Sequence, residues 1–184
     1  MIDKLSNWLG KIANRWTVLL FLALDIIFNA VVMPGAQAKL EAFSGGVGPL
    51  DLTFFPAIEK ILSAVSAYGP EGRAAYTIIE LTADIIYPIV YTFCFSLLIT
   101  VVLRAALSTD SKLQRLNVLP FGAWVFDMLE NVCIITLLLS FPAQSTLVAG
   151  VLMVVNGIKW LFAGASILAL LFGLGTWVLK KIRK

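Results

Sequence analysis

The chain has 184 residues, 60% of them hydrophobic and 14% charged, with a formal net charge of +3 and no histidine. A soluble domain runs about 45–50% apolar and about 25% charged, so this composition describes an integral membrane protein, and the length suits one domain. The missing histidine excludes His-ligated haem, His-based zinc sites and Ser-His or Cys-His dyads. The basic residues gather at helix ends, as topology signals rather than as a nucleic-acid surface.

Residues 2–15 set Leu5, Trp8, Leu9 and Ile12 at helical spacing among Lys4, Lys11 and Arg15. That is the pattern of a short amphipathic helix on the membrane surface. The first span is predicted over 16–33, just long enough to cross the hydrocarbon, and Pro34-Gly35 is expected to end it. Asp25 and Asn29 stand four apart in it and share a face. Ala36-Gln37-Ala38 is a weak match to a signal-cleavage site, and the span is read as retained. The outer segment, 34–69, begins with the turn-rich run from Ser44 to Pro49. A short amphipathic helix should follow, burying Ile58, Ile61, Leu62, Val65 and Tyr68. Asp51 or Thr53 would cap it, Pro56 suits its first turn and Gly69 its end, and it should lie over the mouth of the bundle.

The second span, 70–107, is longer than a bilayer needs. Tyr76, Glu80, Asp84, Tyr87 and Tyr91 follow at steps of 4, 4, 3 and 4, one stripe of phenols and carboxylates, and Pro88 can kink the helix beside Asp84. After a polar loop the third span, 119–141, carries Asp127, Glu130 and Asn131 on one face. The fourth, 146–179, carries Asn156 and Lys159 on one face, while Gly150, Gly157 and Gly164 repeat every seven on another. The glycine line allows close helix contact inside the bundle, between copies, or with a membrane-protein partner. Cys94 and Cys133 lie in apolar runs and read as small buried hydrophobes.

Ten of the 14 lysines and arginines sit in the N-terminus, the 104–117 loop and the C-terminal tail. The positive-inside rule then puts both termini in the cytoplasm and the 34–69 segment outside, in the cytoplasmic membrane. Counting up from the basic residues places Asp25 and Asp127 near mid-membrane, about 15–18 Å up, and Asp84 and Lys159 about 30 Å up. The predicted fold is an all-α integral membrane protein, a four-helix bundle with a surface N-terminal helix and a short amphipathic helix in its first outer loop. Its outward-facing polar cavity would have Asp25 and Asp127 as floor, Glu130, Asn131 and Asn29 as wall, and Glu80, Asp84 and Lys159 as rim. Tyr87, Tyr91 and Asn156 would complete the candidate ligand-binding set.

Five carboxylates face Lys159 there, with Arg73 a second cation near the rim. A charge at mid-bilayer costs about 3 kcal/mol on insertion scales, too much for carboxylates that serve only as interhelical glue. The leading reading is binding or transport of a cation, an amine or a lipid headgroup. A second is an intramembrane enzyme acting on a lipid or sterol-like substrate, with Asp127 or Glu130 as general acid or base. A third is a non-catalytic subunit or assembly factor. No cofactor is implied, and no ligand spacing enforces a metal site.

Pro49-Leu50-Asp51-Leu52, the run from Tyr68 to Tyr76, Asp84-Ile85-Ile86-Tyr87-Pro88 and Asp127-Met128-Leu129-Glu130-Asn131 together resemble an uncharacterised group of bacterial four-span membrane proteins. That resemblance implies the architecture and no activity. The layout is also similar to the EXPERA-domain sterol isomerases and sigma-2-type receptors, although the isomerase histidine has no counterpart here.

Overall fold

Asn14 opens the first long helix. Its side chain accepts hydrogen bonds from the Trp16 and Thr17 backbone N–H groups, and Thr17 Oγ1 accepts one from the Asn14 N–H at 3.1 Å, a closed capping box. In the computed structural model, which describes residues 1–108 and 110–183, this starts α2 (Arg15–Ile27). Ahead of it stands the predicted short N-terminal helix, α1 (Ile2–Ile12), with one face docked on the bundle. Leu9 is fully buried, Asn117 Nδ2 donates to Ser6 O at 3.3 Å, and Arg104 donates to Gly10 O.

Pro34 does not end the helix. The backbone widens into a π turn over Phe28–Val32, with Met33 N–H reaching back to Phe28 O, and continues as α3 (Met33–Ser44). Proline lacks an N–H and its ring crowds the carbonyl four residues back, so a wide turn just before it lets the helix pass. The turn carries Asn29. Gly45, at φ +67°, then stops α3 in the left-handed region that glycine enters without strain.

The segment after Gly45 folds back as a cap. Leu50–Leu52 form a 3₁₀ turn, and α4 (Ile58–Ala67) packs on the last long helix. Asp51 caps nothing: it is buried, and Tyr76 Oη donates to its carboxylate at 2.7 Å. The long second helix is broken at Thr82 (φ −125°, ψ −85°) into α5 (Gly69–Leu81) and α6 (Ala83–Ala106). Within α6, Pro88 cannot donate to the carbonyl of Asp84, and Asn131 Nδ2 takes that acceptor at 2.8 Å. In lipid a freed carbonyl needs such a partner, so Asn131 and Pro88 are two halves of one feature.

A 3₁₀ segment (Lys112–Val118) leads into α7 (Leu119–Ser140), and Pro142 turns the chain into α8 (Thr146–Ile182). Helices α6, α7 and α8 pack on one another as the centre, and α2 leans on α6 with no buried residue of its own. Four helical stretches are long and apolar enough to cross a membrane: Arg15–Ser44, Gly69–Ala106, Lys112–Ser140 and Thr146–Ile182. The chain is thus an all-α multi-span membrane protein with charged and polar residues buried inside it, and no strand among the described residues. Thr109 and Lys184, assigned to the polar loop and the basic tail, lie outside the described residues.

The glycine line of α8 is used within the chain. A Cβ at Gly157 would meet the Phe55 ring at 2.7 Å, and one at Gly150 would touch Ile58 at 3.6 Å, so the cap segment lies over both. A Cβ at Gly164 would meet nothing within 4 Å among the described residues.

Candidate functional site

Beneath the cap lies a cavity of about 430 Å³ between the spans. The whole predicted stripe, Tyr76, Glu80, Asp84, Tyr87 and Tyr91, lines it across the break at Thr82. Asp127 comes from α7, Lys159 and Trp160 from α8, Asn29 from the π turn, and Met33, Gln37 and Leu40 from α3. Pro49, Asp51 and Leu52 roof it. At the end away from the cap it is lined by Phe95, Pro120, Ala123, Ala163, Ser166 and Ile167.

Its α7–α8 wall is a completed network. Lys159 Nζ pairs with Glu130 Oε2, lies 3.4 Å from Asp127 Oδ1 and donates to Asp51 O at 3.2 Å. An ammonium has three donors, so Lys159 is fully committed. The second oxygen of each carboxylate is also engaged: Tyr91 Oη donates to Asp127 Oδ2 at 2.7 Å and Asn156 Nδ2 to Glu130 Oε1 at 2.7 Å. Asn156 Oδ1 in turn accepts the Phe55 N–H at 2.7 Å, which fastens the cap to this wall. Phe55 is held at φ +46°, a backbone conformation that bulky residues rarely adopt. Above it, Tyr68 Oη donates to Gly48 O at 2.8 Å. Burial first, then the carboxylates of Asp51 and Glu80, raise the Tyr68 phenol above its ordinary range, which keeps it a donor.

The α5–α6 wall is different. Glu80 is 1% exposed, yet among the described residues neither of its oxygens has a hydrogen-bond partner. Asp84 Oδ2 is likewise buried and unpartnered. Arg73 does not help, because its guanidinium stacks on Phe141 at 3.7 Å and donates to Val65 O at 3.3 Å. Acceptors left unsatisfied in a dry interior cost free energy, more so when charged.

Not every predicted site residue reaches the cavity. Asn29, Glu80, Asp84, Tyr87, Tyr91, Asp127 and Lys159 line it. Glu130, Asn131 and Asn156 stand behind the wall, tied to Lys159, to the Asp84 carbonyl and to Phe55. Of the two acid–base candidates, therefore, only Asp127 touches the space. Asp25 is not in the floor. Because α2 packs on α6, Asp25 lies against that helix near Tyr87 and Cys94, and only Asn29, swung by the π turn, comes through, where Tyr87 Oη donates to it at 3.0 Å. The floor is apolar, and Glu80 and Asp84 are buried walls rather than a rim.

Comparison with family models, curated proteins and solved structures returned no match. No homologue therefore supports the EXPERA-type layout or the bacterial four-span group, and the architecture itself is what stands. Sequence reasoning missed the buried Asp51–Tyr76 pair, since Asp51 reads there as a helix cap, and the Phe55–Gly157 contact. The spacing of Tyr76 on the carboxylate stripe was the available signal, since a buried phenol calls for an acceptor.

Proposed function

We propose that this chain is a multi-pass protein of the cytoplasmic membrane that binds or moves an organic cation, an amine or an amine-bearing headgroup in this cavity. In this reading both termini are cytoplasmic, from the distribution of lysine and arginine, and the cap faces outward. The supporting observation is Glu80: a fully buried carboxylate of a residue that lines the cavity, with no partner for either oxygen among the described residues, while Lys159 is already committed to the other wall. An ammonium supplies the charge and the donors that Glu80 and Asp84 lack. Tyr87, Tyr91 and Trp160 add aromatic rings to the lining, a class of side chain that attracts cations. Geometry favours an organic cation over a hard metal ion. Among the described residues no three carboxylate or thiol side chains converge as a ligand set, whereas calcium takes about 6–8 oxygens.

The test uses the full chain in mild detergent, with thermal unfolding followed in propylammonium chloride against sodium chloride at equal ionic strength. Propylammonium should stabilise the protein, by about 2.7 kcal/mol at a hundred-fold excess over its Kd, and Glu80→Gln should abolish that gain. Asp84→Asn serves as the second variant. Equal stabilisation of wild type and both variants would contradict the reading.

A further inference from the structure

The cavity is polar at one end and apolar at the other. Along α6 its lining runs from Asp84 to Phe95, along α7 from Asp127 back to Pro120, and along α8 from Lys159 to Ile167. At 1.5 Å per residue these are about 16, 10 and 12 Å of helix, all pointing from the carboxylates away from the cap. That lower part is lined by Phe95, Pro120, Ala123, Ala163 and Ile167, with Ser166 spending its hydroxyl on Phe162 O at 2.7 Å. A small hydrophilic amine would leave this length of apolar wall unused.

The side of the cavity also reaches the outer surface of the helices. Its two edges are the first span, through Asn29, Met33 and Pro34, and α8, through Trp160 and Ile167. Helix α2 packs on α6, and α8 packs on α6 and α7, and among the described residues no comparably extensive packing joins the first span to α8. Asn29, Pro34, Trp160 and Ile167 line the cavity and are exposed at the same time. The carboxylates lie toward the cap, and the apolar end lies deeper along the spans. That is the orientation of a lipid in the leaflet on the capped side, with its head at the interface and its chain in the hydrocarbon.

Resting on the cation reading above, we propose that the ligand is a membrane-resident amphipath, an ammonium on a hydrocarbon body. It enters sideways between the first span and α8. Its ammonium meets Glu80, buried with both oxygens unpartnered among the described residues, and Asp84, and its hydrocarbon runs toward Phe95 and Ile167. Uncharged lipids of the same shape would leave Glu80 unmatched and so are discriminated against.

The probe is dodecylamine carrying a photoactivatable diazirine near its tail end, applied to the full chain in nanodiscs of neutral lipid. Crosslinked residues are mapped by mass spectrometry. Label should fall on Phe95, on Pro120 to Ala123 and on Ala163 to Ile167, and excess dodecylammonium should compete it away. Labelling there should be about ten-fold lower in Glu80→Gln, the factor expected from losing one charged hydrogen bond. Label confined to the lipid-facing residues Leu161, Leu168 and Phe172, or unaffected by Glu80→Gln, would overturn the amphipath. If propylammonium still stabilised the wild type in that case, the cation reading would survive it. If neither amine acted on the wild type, both would fall. Asp84→Asn replaces Glu80→Gln should that variant not fold.

Discussion

Glu80 and Glu130 are buried to the same degree in the same bundle, and they differ in what surrounds them. Glu130 holds Lys159 and Asn156, and the same lysine reaches Asp127 and the backbone of Asp51. Glu80 faces a cavity and holds nothing among the described residues. In lipid, burial alone therefore does not mark a site. A carboxylate whose oxygens are all engaged organises the protein, and one whose oxygens are free is available to something else. The α7–α8 wall fixes the cap and the packing, and the α5–α6 wall keeps Glu80 and Asp84 Oδ2 without a partner among the described residues.

The difference can be tested by breaking each wall in turn. Lys159→Met should have the largest effect, because it strands Asp127 and Glu130 in the interior: a loss of about 3–5 kcal/mol in equilibrium unfolding, partly recovered when Glu130→Gln is added. Gly157→Ala should come next. Its new methyl meets the ring of Phe55, whose backbone Asn156 holds in place, so the expected loss is about 1–3 kcal/mol, with faster hydrogen exchange across 49–57. Tyr91→Phe removes one donor from Asp127 and should cost about 1 kcal/mol. Glu80→Gln should move the other way, gaining on the order of 1 kcal/mol without ligand, since it removes an unmatched acceptor charge. A loss from Glu80→Gln as large as that from Lys159→Met would erase the distinction between the walls.

Much of this was legible in the sequence. Composition places the spans, and steps of three and four residues put Asp127 on the cavity face and gather the stripe from Tyr76 to Tyr91. Pro88 was read as a kink beside Asp84, and the freed Asp84 carbonyl is where Asn131 docks. What stayed hidden depends on contacts far apart in the chain. Pro34 looks like a helix end because the π turn that carries the helix past it leaves no mark in residue spacing. Asp51 looks like a helix cap until the Leu50–Leu52 turn folds it onto Tyr76. Depth counting put Asp25 level with Asp127 but carries no information on which neighbour a helix face meets, and α2 meets α6. Glu130 and Asp127 share a helix face, so periodicity could not tell the one that lines the space from the one behind it.

The most direct measurement is a high-resolution map of the full chain in nanodiscs with dodecylammonium bound. The nitrogen should lie within hydrogen-bond distance, about 3 Å, of the Glu80 carboxylate, with the chain extending toward Phe95 and Ile167. A nitrogen placed instead on the Asp127–Glu130 side, with Lys159 displaced from its partners, would contradict the division between a completed wall and an available one.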